Sequence, residues 1–255
     1  MISGDLLLVG TSSWRHRDWR QSFYPPTTEE HDQLAFYSSR FDCVEIAESF
    51  YRLPERHTLV QWVEETPDDF RMPLLAPRII THDKKLKNCE NQIDTLFTRL
   101  RGLERKLRPV VFQLPLKWHC NLRRLEAFMV RLSDNFRYVF EFLDGSWLTP
   151  PVCQLLNNNQ FGHCVRSSED ISALQTIPTN MIYLRLGSPN HSPSGIYHPR
   201  LLRGWAMRIR EWTRKGKTVY VVFHGATQNA VLKNAQRIRR YIREVDKPTA
   251  SRDIE

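Results

Sequence analysis

The feature that most constrains this chain is a repeated alternation of two periods. Eight short apolar or β-branched runs, each bounded by turn residues, alternate with amphipathic segments of helical spacing. The runs are Leu6–Gly10, Cys43–Ala47, Arg71–Leu75, Val110–Leu114, Tyr138–Phe142, His163–Arg166, Met181–Leu186 and Val219–Phe223. The helical segments are Thr28–Arg40, Glu55–Glu65, Asn88–Leu107, Leu122–Leu132, Pro150–Asn158, Pro199–Arg214 and Gln228–Arg243, with a shorter one near Ser168–Leu174. Strands that alternate with helices pair in parallel through right-handed crossovers, and eight such units in 255 residues fit a single closed barrel. The expected fold is therefore α/β: one (β/α)8 barrel over residues 1–245, with residues 246–255 as a frayed tail. An open doubly wound sheet is the competing topology. It is weakened because no Gly-rich phosphate fingerprint follows any run, and Gly216–Thr218 lacks the rest of a P-loop.

Composition bounds the function classes. With 41% hydrophobic and 25% charged residues, and no apolar run near the roughly 20 residues a bilayer span needs, the chain reads as soluble, with no membrane partner. The opening MISGDLLLVG has no basic region or small-residue cleavage site, so it reads as a first strand rather than a signal peptide. Cys43, Cys89, Cys120, Cys153 and Cys164 form no C-x-x-C pair, which fits a reducing cytoplasm better than a disulfide scaffold. The net charge of +9 arises wholly from residues 198–255, which hold 14 Lys/Arg against 5 Asp/Glu. Such a surface attracts phosphate-rich partners, although basic helices are commonly just solvated faces.

In a barrel, the loops that follow the strands build the active face. Alternation along the strands turns Glu45, Gln113, Glu141 and Arg185 inward, while Phe140 and Phe142 pack against helices. Thr11 and Trp14 follow the first strand, Tyr51 the second, Arg78 and His82 the third, Trp147 the fifth and His224 the eighth. Two inward carboxylates sharing a lumen with an arginine form either a mutually paired buried ion network or an acid/base pair acting on a ligand. His82 and His224, each just past a strand end, are the candidate proton carriers. No H-x-H, H-E-x-x-H or Asp-rich loop calls for a metal, and no cofactor motif is present.

Several stretches together resemble a known family, the YecE-like proteins named for domain of unknown function 72. They are GTSSW with DWRQSFYP, FDCVEIAESFYRLP, APRIITH, FQLP, FEFLDGSW, YLRL and the NAQRI run near Asn234, and they span nearly the whole chain. The resemblance implies a TIM-type barrel but no settled reaction. Glu45, Arg78, Gln113, Glu141, Trp147 and Arg185 match the family pattern. The chain departs from it at Ala47–Glu48, Leu75, Leu143–Gly145, Gly187–Ser188 and His224–Gly225, which marks a divergent member.

The functional expectation is a phosphate-bearing ligand, nucleic acid included, bound at the barrel mouth. Arg78 and Arg185 would hold the anion, with Glu45 or Glu141 as acid/base in a hydrolytic type of chemistry, and Thr11, Trp14, Tyr51, Gln113 and Trp147 would line the site. One rival is a non-catalytic barrel that docks nucleic acid or an acidic protein on its basic C-terminal helices. Another binds carbohydrate between Trp14 and Trp147. The oligomeric state is left open.

Overall fold

The computed structural model of the chain describes residues 6–20, 22–166, 179–189, 194–225 and 228–245. Eight strands form one parallel sheet: β1 (Leu7–Thr11), β2 (Cys43–Val44), β3 (Leu74–Leu75), β4 (Val110–Leu114), β5 (Tyr138–Phe142), β6 (Gly162–Arg166), β7 (Met181–Leu186) and β8 (Thr218–Phe223). Their order is β2-β1-β8-β7-β6-β5-β4-β3. The helices are α1 (Gln33–Ser38), α2 (Arg56–Glu64), α3 (Glu90–Leu100), α4 (Leu122–Met129), α5 (Pro150–Asn158), α6 (Pro199–Arg214) and α7 (Gln228–Val245). The expected short helix near Ser168–Leu174 and the expected tail at 246–255 lie outside the described residues. Among those that are described, no helix is long and apolar enough to cross a membrane.

Runs whose apolar residues are uninterrupted become the expected strands almost residue for residue. Two runs are trimmed for local reasons. Pro73 has no N–H to give a ladder, so β3 starts after it, and at Ala47 the chain turns into a 3-10 helix that ends β2 after Val44. The segment expected to be helical to Leu107 stops at Leu100, and the left-handed Gly102, at φ 80°, turns the chain towards β4.

The sheet is strongly curled. Tyr183 on β7 hydrogen-bonds Glu45, one residue past β2, although β8 and β1 lie between the two strands. Three strand intervals would separate these groups by about 14 Å in a flat sheet, so only curvature brings them within bonding distance. The edge strands β2 and β3 also meet. Parallel bridges join Cys43 to Arg71 and Ile46 to Leu74, and Val44 and Ile46 donate to the Arg71 and Pro73 carbonyls at 3.0 and 2.7 Å. The buried Ser49 hydroxyl lies 2.5 Å from the Ile46 carbonyl and 2.6 Å from that of Leu75, bridging the two strand ends.

Curling divides the core in two. The concave side holds Leu8, Cys43, Leu75, Val111, Val139, Cys164, Tyr183, Tyr220 and Val222, with Phe50 packed over them. The convex side is larger and aromatic, with Phe112, Phe140 and Phe142 facing outward as the alternation requires and Phe112 and Phe140 packed against Phe128 of α4. Gly10 sits where β1 passes closest to its neighbour: a Cβ there would fall 1.8 Å from the Cys43 carbonyl oxygen.

Candidate functional site

The concave side is apolar along most of its depth and becomes polar towards the C-terminal ends of the strands. Gln113 and Glu141 are register partners on β4 and β5, and Arg166 and Arg185 are partners on β6 and β7, so each pair projects side by side. Gln113 Nε2 donates to Glu141 Oε2 at 2.7 Å, and Arg185 Nη1 donates to the same oxygen at 2.7 Å. Arg185 Nη2 reaches across the interior to Glu45 Oε1 at 3.0 Å, while the Tyr183 hydroxyl donates to Glu45 Oε2 at 2.9 Å. Glu45 is fully buried, and Glu141 and Arg185 are nearly so. Burial works against the Arg185 charge, but Glu45 and Glu141 together hold its pKa well above the ordinary value. The Tyr183 hydroxyl is pushed the same way by burial and then by the Glu45 charge, and stays a donor.

Both oxygens of Glu45 are therefore used, and one of Glu141 is. Glu141 Oε1 accepts no hydrogen bond among the described residues and faces Arg166 Nε at 3.8 Å. Arg166, its side chain 38% exposed, is the half-open member of the group. His224 lies at the end of β8, its ring against Gly187, where a Cβ would come within 3.1 Å of it. Burial, then the Arg185 charge, pushes its pKa down to about 4, with Glu141 opposing, so the imidazole is neutral near pH 7. His82 stands on a π-helical turn, Ile79–Asp83, directly after β3, edge-on to Phe50 at 4.9 Å and hydrogen-bonded through Nδ1 to the Thr81 hydroxyl at 2.9 Å. Its pKa is also lowered, by burial and then by Arg78, with Asp83 and Glu141 opposing.

Of the residues singled out from sequence, Glu45, Gln113, Glu141 and Arg185 thus form one connected network, with His224 and His82 close enough to feel its charges. Others lie elsewhere. Thr11 points to the convex side, where its N–H donates to the Tyr37 hydroxyl at 2.9 Å and its own hydroxyl donates to the Ser13 carbonyl at 2.6 Å. Trp14 is 3% exposed and packs edge-on against Trp62 at 4.9 Å. Trp147 is fully buried, stacked on Phe142 at 5.2 Å and donating Nε1 to the Trp118 carbonyl. Both indoles belong to the outer core, because the loops after β1 and β5 fold back over the helices rather than over the mouth. Tyr51 is 78% exposed and lines a cleft of ≈ 310 Å³ between the segment that precedes α2 and the face of α3, with Arg52, Ile79 and Arg99. Arg78 pairs with Asp83 at 3.1 Å on the surface.

Sequence reasoning misses Arg166, although a signal for it exists: Cys164 faces inward, so the residue two further along the strand must do so too. No group of three or more His, Cys, Asp or Glu among the described residues could hold a metal ion, and all five cysteines are free thiols.

The network can orient a ligand, supply one buried carboxylate oxygen that accepts no hydrogen bond among the described residues and one half-exposed guanidinium, and offer neutral imidazoles as proton donors or acceptors. Comparisons with known proteins assign the fold and family without adding a reaction. UPF0759 protein YecE of Escherichia coli is 28% identical over 137 residues, 53% of this chain but only about half (48%) of the relative's length. UPF0759 protein YunF of Bacillus subtilis is 24% identical, the match covering 86% of this chain and 88% of that one. The crystal structure of a DUF72 family protein from Thermotoga maritima superposes with a TM-score of 0.79 at 21% identity, covering 93% of this chain and 99% of that one. The model of the family described as protein of unknown function DUF72 matches residues 8–253, so this chain belongs to the DUF72 family.

Proposed function

We propose that this chain is a closed (β/α)8 barrel that binds a phosphate-bearing ligand at the C-terminal mouth of its strands. The bridges between β2 and β3, and the contacts that cross the interior from β7 to β2, support the closed form. The observation that carries the ligand class is the pairing of Arg166 with Glu141. Arg185 is committed to two carboxylates, whereas Arg166 is half-exposed and has no hydrogen bond among the described residues, so its fork is free for an oxyanion. Glu141 Oε1 and the neutral His224 stand beside that position as the acid/base pair for a hydrolytic or proton-transfer step. This moves the anion-holding role from Arg78 and Arg185 to Arg166.

The test is binding of labelled single-stranded and duplex nucleic acid, and of a small phosphate monoester, at about 50 and 200 mM salt, a range in which phosphate contacts weaken strongly. Arg166→Ala should weaken binding about tenfold to a hundredfold, the usual worth of a charge-assisted hydrogen bond. Absence of binding to all three probes at the lower salt would overturn the reading. A second reading, docking on the basic helices α6 and α7, is favoured by the guanidiniums of Arg203, Arg237 and Arg240, which lie 4.7, 6.0 and 5.2 Å from the Tyr241 ring centroid. It predicts nucleic-acid binding that survives Arg166→Ala. The carbohydrate reading finds no open ring face, since Trp14 and Trp147 are both buried.

A further inference from the structure

A cavity of ≈ 320 Å³ lies in the helical layer, where the loop after β1 meets α2 and the turn that leads into α1. The loop contributes Trp14 and Arg15, the start of α1 contributes Glu30 and Leu34, and the end of α2 contributes Trp62 and Glu65. These residues are separate from the ion network at the mouth, and three kinds of chemistry meet among them.

We infer that this cavity binds a free α-amino acid with an apolar side chain. Trp14, Leu34 and Trp62 make its apolar floor, and the two indoles brace each other edge-on at 4.9 Å. The Arg15 guanidinium lies over both of them, 5.1 Å from the Trp14 ring and 5.7 Å from that of Trp62. Stacking uses the flat face of the guanidinium and leaves its in-plane N–H groups directed outward, where their fork matches the two oxygens of a carboxylate. Glu30 and Glu65 bring negative charge for an ammonium. One oxygen of each is engaged, Glu30 Oε2 by Arg20 at 3.5 Å and Glu65 Oε1 by the Gln61 amide at 2.7 Å, and each carboxylate keeps a second oxygen that can accept. The Arg20 pair is well exposed, so it competes only weakly with a ligand. His31, 3.5 Å from Asp32, and Thr58 complete the lining with hydrogen-bonding groups. A simple anion here would meet two carboxylates, and a simple cation would meet the guanidinium; a zwitterion answers both signs at once. Size points the same way. The volume stands at the low end of the about 300–1,000 Å³ typical of ligand cavities, which suits one amino acid better than a peptide.

The experiment is titration of L-leucine and L-phenylalanine into the full chain, read by calorimetry and by the indole N–H resonances of Trp14 and Trp62. Those two signals are identified by their loss in Trp14→Phe and Trp62→Phe. Saturable binding that shifts both is expected. N-acetylphenylalanine lacks the ammonium and phenylalaninamide lacks the carboxylate, so each should bind about tenfold to a hundredfold more weakly than the free amino acid. Arg15→Gln should weaken phenylalanine by the same factor and leave phenylalaninamide as it was, a difference that loss of folding does not produce; Arg15 is exposed, and circular dichroism of the variant checks the fold. Equal binding of phenylalanine and its amide, full affinity in Arg15→Gln, or no binding of either amino acid at millimolar concentration would overturn the site. None of these results bears on phosphate binding at the mouth, which has its own probes.

Discussion

Glu45 shows how much one buried charge can demand of its surroundings. Its carboxylate has no access to water, and its two oxygens are satisfied by Arg185 and Tyr183 from a strand on the far side of the interior. Glu45→Gln removes the charge but not the volume, leaving Arg185 paired with Glu141 alone. Removing one partner of a buried pair costs about 3–5 kcal/mol, so the variant should unfold at a correspondingly lower urea concentration, and an unchanged midpoint would show that the pair adds nothing to stability. A second residue-scale expectation concerns acid. Burial lowers the pKa of His163 to about 4, and His224 is lowered equally, whereas the unfolded chain protonates both near 6.5. Below about pH 6.5 the unfolded state therefore binds more protons, and stability falls with pH down to the folded value by up to about 1.4 kcal/mol per pH unit for each histidine. The His163 ring packs near Phe142 with a buried Nδ1 that has no hydrogen-bond partner among the described residues. His163→Leu should thus cost little at neutral pH and remove its share of the acid slope, as urea midpoints measured from pH 7 to 4 would reveal.

At the scale of the element, alternation explains both what the sequence discloses and what it hides. Within a strand, the side chain two positions on shares a face, so alternation alone suffices to turn Glu45, Gln113, Glu141 and Arg185 inward. Beyond a strand end that rule lapses. Position in the chain assigns Thr11, Trp14 and Trp147 to the mouth, but Thr11 falls on the outward face of β1, and the two tryptophans sit on turns that close over helices. Strand lengths are legible wherever apolar residues run unbroken, and not where a proline removes a donor at position 73. The partner that Gly10 must accommodate is on another strand and has no local signature. Gly10→Ala would drive a methyl group into the Cys43 carbonyl, and β1 and β2 would have to part. The loss should reach or exceed about 3 kcal/mol, the upper part of the usual overpacking range, and a thermal melt would register it.

For the molecule as a whole, the sheet is uneven in strength. β7 and β8 pair over six residues, as do β1 and β8 over five, whereas β2 and β3 are two residues each and meet through isolated bridges. Local opening follows the density of backbone pairing, so the amides of Val44, Ile46 and Leu75 should exchange with deuterium earlier than those of Ile182, Leu184 and Val221. Uniform protection around the sheet would contradict this. The seam lies beside the candidate mouth, since Ser49, Phe50 and the turn that bears His82 sit where β2 and β3 end. The weakest part of the scaffold therefore adjoins one side of the site, while Arg185 stands on β7, a strand of the longest pairing.

The interior ion network also has a chronology. Its acids are encoded at positions 45 and 141 and the arginine that bridges them at 185, and a ribosome makes them in that order. Until β7 is synthesised, the strands before it carry two carboxylates destined for the interior without the cation that joins them there. The last third of the chain thus completes the electrostatics of the rest.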